Sequence, residues 1–279
     1  MDDTLRNPFG LDPTLIASRA RSIRRRIIRM NAAAGQGHTG ADLSEADILA
    51  ALFFNILRYD PRGPEEPGRD RFVLSKGHGV GGFYATLVEA GILDEAKLAT
   101  YLAFDSDLPG HPVRQKTPFV EVNTGALGHG LSVGVGLALA AKKQGRGLRV
   151  YVLLGDGELQ EGAVWEAAMS AAHFRLDALV AIVDRNGLQL ADRTEAIMAL
   201  EPLEAKWSSF GFDVRQVDGN DPGAIVACVG GLDWSCRRPH VLIARTAKGK
   251  GVSFIENQPA WHHKVPVGDE VTRAIEELE

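Results

Sequence analysis

Two side chains carry the first chemical signal in this sequence: Asp156, set between Gly155 and Gly157, and Asn186, which precedes Gly187. Asp156 offers a hard carboxylate oxygen and Asn186 a neutral amide oxygen. The turn after Asn186 can aim a backbone carbonyl, that of Leu188, at the same ion. Two side chains and one carbonyl leave half of an octahedron open, which Mg²⁺ commonly fills with waters and the oxygens of a phosphorylated ligand. Gly155 and Gly157 permit a tight turn and a close approach to a diphosphate. A helix beginning near Glu161 would present unpaired N–H groups to the same anion. Gly-Asp-Gly and Asn-Gly are also ordinary turns, so these residues alone leave a plain turn as open as an ion site.

The other candidates are histidines. Of the 8 in 279 residues, His38, His78, His111, His129 and the pair His262/His263 fall in loops, several of them flanked by glycine. One histidine in a loop is more often structural than catalytic. Several in the loops of one α/β sheet point to a shared cleft, because imidazole hydrogen-bonds hydroxyls and diphosphate oxygens and moves protons near neutral pH.

The elements that must position these groups are legible as patterns. Val150 to Leu154 and Ala178 to Val183 are short apolar runs rich in β-formers, and Val164, Ala167, Ala168, Ala171 and Ala172 recur between them at helical spacing. That is a strand, a crossover helix and a parallel strand. It puts Asp156 and Asn186 at adjacent carboxyl ends, where open parallel sheets bind ligands. Upstream, Ile16, Ala20, Ile23, Ile27 and Met30 predict a helix over 13–34, started by Asp12 and Pro13. Its arginines (19, 21, 24, 25, 26 and 29) read as a solvated or partner-facing surface. Further helices are expected from about Ser44 to Leu57 and Phe83 to Ala90, and through about Lys143, with a strand starting at Arg71. Later strands are expected at Asp213 to Val217 and His240 to Arg245, with a helix near Asp221 to Val229 between them. Residues 258–266 read as a nonregular loop before a short terminal helix. The alternation predicts one doubly wound α/β domain, a parallel sheet flanked by helices, spanning residues 1–279.

Composition narrows the function classes. Hydrophobic residues at 45% and charged residues at 24% describe an ordinary globular chain. A net charge of −5 argues against general nucleic-acid binding, which needs a basic surface. Cys228 and Cys236 show no metal-site spacing and neither looks catalytic, in keeping with a reducing compartment. The first ten residues lack the basic-then-apolar order of a signal peptide. The longest apolar stretch, Leu131 to Ala141, is too short and too glycine-rich to span a bilayer. A cytoplasmic protein is expected.

Taken in order, the motifs resemble those of the transketolase family. GQGHTGADLS at 35–44 is similar to its GHPG loop, LSKGH at 74–78 to LSxGH, PGHP at 109–112 to its substrate-loop GHP, and TGALGHG at 124–130 to TGxLGQG. GDGELQEG at 155–162 with the later Asn186 resembles the thiamine-diphosphate signature, and KGKG at 248–251 resembles the version in split transketolases and deoxyxylulose-phosphate synthase. The resemblance runs from about residue 13 to 266, and ordered motifs are far more specific than any one of them.

That resemblance implies a thiamine-diphosphate-binding fold of the diphosphate-binding type. It implies thiamine diphosphate and Mg²⁺, or Ca²⁺ or Mn²⁺ in its place, held through Asp156, Asn186 and the Leu188 carbonyl. His38, His111 and His262 would line the donor-sugar channel and handle its protons. His78, Lys248, Gly155, Gly157 and Glu158 would face the cofactor, with His262 beside it, and Gly125 and Leu127 would offer backbone groups to the aminopyrimidine. His129 stands where glutamine is usual and would give the cofactor a different hydrogen bond; Thr39 replaces the usual proline. Glu161, joined by Glu166, would belong to an acidic network at a dimer interface. Full-length members continue into pyrimidine-binding and C-terminal domains. The resemblance therefore implies the N-terminal subunit of a split transketolase, moving a two-carbon ketol unit from a ketose to an aldehyde only with a partner chain, in an α2β2 assembly. Two other readings stay open: the α-type chain of another thiamine-diphosphate enzyme, such as a 2-oxo acid dehydrogenase, and a non-catalytic scaffold.

Overall fold

In the computed structural model, which describes residues 5–190 and 192–279, the chain enters through α1 (Pro13–Ala34). Asp12 caps it by accepting from the Thr14 and Leu15 N–H groups, and Gly35 ends it in the left-handed region at φ 65°. Arg21 and Arg29 of α1 are exposed as expected, but others of its arginines turn to partners within the chain. Arg24 is buried and pairs with Asp47 at 2.6 Å, and Arg19 and Arg26 both reach Glu89. This helix is packed among five others, introduced below as α2, α3, α4, α9 and α10, so several of its charges meet internal carboxylates.

The single helix expected from about Ser44 to Leu57 is three shorter pieces: α2 (Thr39–Ser44), α3 (Ala46–Ala51) and a π turn over Leu52–Ile56. The break falls at Glu45, whose side chain is fully buried beside Lys76. After β1 (Arg71–Leu74), α4 (Val80–Glu89) starts three residues earlier than expected. Gly81 and Gly82, which read as loop residues, are there for packing. A Cβ on Gly81 would stand 2.7 Å from Asp42 Oδ2, and one on Gly82 2.7 Å from Glu45 Oε1.

Next come α5 (His129–Lys143), β2 (Val150–Gly155), α6 (Gly162–His173) and β3 (Leu179–Arg185). A small hairpin, β4 (Leu188–Gln189) with β5 (Asp192–Arg193), follows, then α7 (Thr194–Ile197), α8 (Leu203–Ser209), β6 (Asp213–Asp218), α9 (Pro222–Gly230), β7 (His240–Arg245) and α10 (Asp269–Glu277). The loop over 258–266 contains one 3₁₀ turn, Pro259–His262.

Five strands pair in parallel in the order β1-β2-β3-β7-β6, with Leu153 opposite Ile182 and Val183 opposite Ile243. Alternate residues feed two cores, as the period of a strand requires. Phe72, Tyr151, Leu153, Val180, Ile182 and Leu242 join one core with α1, α3 and α4. Val73, Val150, Val152, Leu179, Ala181 and Val241 join the other with α5, α6 and α8. The doubly wound parallel α/β class expected from the sequence is what the chain adopts. Helices close both faces, so ligand access is left at the carboxyl ends of the strands.

Candidate active site

Four strand ends and three histidine loops converge on one cavity of about 380 Å³. β2 delivers Gly155, Asp156, Gly157 and Glu158, β3 delivers Asn186 and Leu188, β1 delivers Lys76 and His78, and the chain after β7 delivers Lys248. His38, His111, Gly125, Leu127, His262 and His263 complete the wall. Asp156 and Asn186, expected at neighbouring strand ends, therefore do line the same space.

One pole of the cavity is rich in hard oxygens. Asp156 is 2% exposed, accepts from the Gly187 N–H at 2.6 Å, and pairs with Arg185 at 3.1 Å. Burial, with Asp184 nearby, pushes its carboxyl above the ordinary range, against the pull of the Gly187 N–H and Arg185. Asn186 Oδ1 accepts from the Leu188 N–H at 3.1 Å, folding the turn back on itself. The Leu188 carbonyl accepts from Lys248 Nζ at 3.4 Å. Cationic groups thus already stand on the carboxylate and on the carbonyl, and a carboxylate, an amide and a carbonyl suit Mg²⁺ or Ca²⁺.

Glu158 is the internal clamp of this pole. It is 2% exposed, and its carboxylate accepts from the Gly128 N–H at 2.9 Å, the Gly155 N–H at 3.0 Å and the Ser75 hydroxyl. One side chain thereby ties the loops after β1 and β2 to the loop before α5. Thr124 Oγ1 donates to the Leu74 carbonyl at 2.7 Å, and Gly77 approaches so closely that a Cβ would meet Thr124 Oγ1 at 2.7 Å. The helix expected to point its N–H groups here from Glu161 begins at Gly162 and does not line the cavity. A 3₁₀ turn over Gly157–Gln160 stands in between, and its first residues are the ones that do.

A buried charge triad, not expected from the sequence, lies beneath the site. Lys76 Nζ sits 2.6 Å from Asp184 Oδ2, 2.9 Å from Glu45 Oε2 and 3.2 Å from the Ala41 carbonyl. Burial alone would lower the Lys76 pKa; the two carboxylates outweigh it and hold it above the usual value. Asp184 is likewise buried, yet Lys76, Ser44 and Thr246 keep it below the usual range, whereas burial leaves Glu45 well above it. Arg185 was not expected either: its guanidinium spans Asp156, Thr194, Glu195 and Glu201. Lys76 stands inside the LSKGH motif, and that was the available signal.

The other pole is a nest of imidazoles. The His38 ring lies 5.3 Å from His78, 6.3 Å from His111, 5.7 Å from His262 and 4.6 Å from His263, centre to centre. Burial first, then the neighbouring His263, His111 and lysines, depress His38 to about 4. Burial and Lys248 bring His262 to about 3. His78 is pushed well below its ordinary value and His111 is lowered, both chiefly by burial. Lys248 Nζ stands 2.9 Å from His262 Nδ1, and burial together with Lys76 lowers it to about 8. Near neutral pH these four rings are uncharged, able to accept or donate a proton at separate nitrogens.

Of the remaining expected residues, the resemblance assigns one to the cofactor and two to an interface. His129 is the exposed first residue of α5, outside the cavity lining. Glu161 and Glu166 are exposed at the start of α6, with the Glu161 stem packed over Gly128, where a Cβ would lie 2.6 Å from it.

Comparison with known proteins places this arrangement. Residues 17–278 match the family model for the thiamine diphosphate binding domain of transketolase. The chain is 52% identical over 273 residues to a subunit of the apulose-4-phosphate transketolase of Actinobacillus succinogenes, covering 98% of this chain and 99% of that one. It is 40% identical to the 6-deoxy-6-sulfo-D-fructose transketolase subunit SqwG of a Clostridium species, covering 88% and 89% of the two chains. The transketolase of Campylobacter jejuni superposes with a TM-score of 0.89 at 30% identity, over 96% of this chain but 43% of that one. Human transketolase is 40% identical over 90% of this chain and 40% of its own length. The chain thus spans about two-fifths of those two longer relatives and most of the two named subunits.

Proposed function

From the premise that this chain belongs to the transketolase family, in its thiamine diphosphate binding domain, we propose that it is the cofactor-binding, N-terminal subunit of a two-chain transketolase. As a single diphosphate-binding domain it transfers a two-carbon ketol unit from an anionic ketose to an aldehyde once joined by a second chain. The observation that carries this reading is the convergence of Asp156, Asn186, the Leu188 carbonyl, Lys248 and five histidines on one cavity. Two relatives of nearly equal length are named as subunits, one for a phosphorylated ketose and one for a sulfo-ketose. An apulose-4-phosphate-like donor is the first to screen. The partner contributes the pyrimidine-binding domain and the acceptor site, in an α2β2 assembly. No helix among the described residues is long and apolar enough to cross a membrane, and we place the enzyme in the cytoplasm.

The residues present fit the cofactor and its metal. Asp156, Asn186 and the Leu188 carbonyl would hold Mg²⁺, and Lys248, His78 and the backbone of Gly155 and Gly157 would receive the diphosphate. When bound, thiamine diphosphate supplies the electron sink that C–C cleavage of a ketose needs. The chain's own part is positional and protonic. His38, His111 and His262 hold the hydroxyl and carbonyl groups of the donor and pass protons at ring nitrogens, which burial keeps uncharged. Lys248 orients His262 through its Nδ1. Exposed Glu161, Glu166 and His129 are available to the assembly interface rather than to the cavity.

Two measurements test the proposal. The purified chain alone is expected to show no ketol transfer, and the mixed pair to show it; full turnover by the isolated chain would refute the two-chain reading. Asp156→Ala is expected to abolish Mg²⁺-dependent binding of thiamine diphosphate in calorimetry, and unchanged binding would remove the metal assignment.

A further inference from the structure

We propose that His38, His262 and His263 form a tri-histidine site for a borderline-soft divalent cation, Zn²⁺ above all, at the mouth of the cavity and separate from the hard-oxygen pole. One ring nitrogen from each of the three lies within 4.8 Å of the others. Three Zn–N bonds of about 2.0–2.1 Å set tetrahedral ligands roughly 3.4 Å apart. The nitrogens therefore need to close by at most about 1.4 Å, within reach of ring rotation about the side-chain bonds. His263 is exposed and sits at the end of the 3₁₀ turn that holds His262, so it can swing toward the other two. His38 Nδ1 is buried with no hydrogen-bond partner among the described residues, an unsatisfied group that a metal would satisfy.

The ligand set selects the ion. Imidazole nitrogens favour Zn²⁺, Cu²⁺ or Ni²⁺, whereas Mg²⁺ prefers oxygens. Lys248 Nζ stands at His262 Nδ1, so His262 ligates through whichever ring nitrogen it can free, either Nε2 after a change of tautomer or Nδ1 in place of the lysine contact. The Lys248 ammonium beside His262 opposes a cation, and the Asp156 carboxylate lining the same cavity works the other way. With three protein ligands, one coordination position stays open to water or a substrate hydroxyl.

On the reading that His38 and His262 line the donor channel, an occupied site blocks ketose entry, making Zn²⁺ an inhibitor. The first test does not depend on that reading. The full chain, with Mg²⁺ in excess, is titrated with Co²⁺ as a visible spectroscopic stand-in for Zn²⁺, beside His263→Ala and the surface control His173→Ala. Saturable visible absorption of a low-coordinate cobalt centre is expected for the unsubstituted chain and His173→Ala, with affinity at least about tenfold weaker for His263→Ala, the scale of losing one ligand. Absence of the band, or equal affinity in all three, would overturn the site. In the second test Zn²⁺ is added to the reconstituted pair. Inhibition is expected, and, each measured against its own rate without Zn²⁺, the His263→Ala pair is expected to need at least about tenfold more Zn²⁺ than the unsubstituted pair. Tight Co²⁺ binding without inhibition by Zn²⁺ would leave the metal site standing and refute the donor-channel assignment.

Discussion

Replacing Lys76 by methionine should be among the most damaging single changes near the site, although Lys76 is not expected to touch the reacting atoms. Its ammonium is 1% exposed and stands between two fully buried carboxylates, Asp184 at 2.6 Å and Glu45 at 2.9 Å. Methionine fills the space of the stem and removes the charge. Breaking a buried pair by deleting one partner costs about 3–5 kcal/mol, because the other charge is left uncompensated. For a domain of this size that lowers Tm by roughly 6–20 °C, at about 2–4 °C per kcal/mol. The loss also has a predictable pH dependence. Burial already holds the Glu45 pKa well above its unfolded value. A raised folded pKa favours folding below the unfolded pKa, and that contribution is lost as pH rises through the folded value. Without Lys76 to favour its charged form, Glu45 retains its proton to higher pH, so the variant's deficit should be smaller at about pH 5 than at about pH 8. The assay is thermal unfolding at both values, with Glu45→Gln/Lys76→Met as the second variant, expected to recover part of the loss. A fall in Tm under about 2 °C, or a deficit that grows toward acid, would refute the reasoning.

Further outcomes follow from other residues. Glu158→Gln turns an amide N–H toward backbone N–H donors, and should cost about 1–3 kcal/mol in denaturant unfolding. Gly134→Ala drives a Cβ to 2.4 Å from Val152 Cγ2 and should destabilise by about 1–3 kcal/mol. Gly136→Ala, on the same helix with nothing within 4 Å, should be neutral or stabilising by up to about 1 kcal/mol. Because burial lowers His38 to about 4 and His262 to about 3, folding stability should decline as pH falls from about 6.5 through those values, where the unfolded chain binds protons and the native cavity does not. The pH–rate profile of the reconstituted pair should show no imidazole limb near about pH 6.5. Lys248, at about 8, is charged below that value and neutral above it, so affinity for thiamine diphosphate should weaken as pH rises through about 8.

What the sequence disclosed depended on distance along the chain. Asp156 and Asn186 were legible because a strand, one helix and a strand separate them, and the period of those elements fixes where both fall. The histidines were legible because glycine and proline around them exclude regular structure. Lys76 was in plain view within LSKGH, but its meaning lies in Asp184, 108 residues away, and no local pattern announces such a partner. Gly81 and Gly82 misled for the same reason: they look like loop residues until Asp42 and Glu45 are seen pressing on their Cα atoms. Arg24 and Arg26 of α1 read as surface because single-sequence periodicity cannot show that Asp47 and Glu89 await them.

The charge inventory of the cavity has one more consequence. Lys76 is paired with its own carboxylates, and His38 and His262 are depressed, so Lys248 is the cation that faces the Asp156 and Glu158 carboxyl groups across the cavity, the first of them already paired with Arg185. A naked polyphosphate would find one cationic side chain, Lys248, beside two carboxyl groups. The same anion arriving with a divalent ion would bring the cation that the oxygens of Asp156, Asn186 and Leu188 suit. On the proposed metal site, the expected order of arrival is metal before or with ligand.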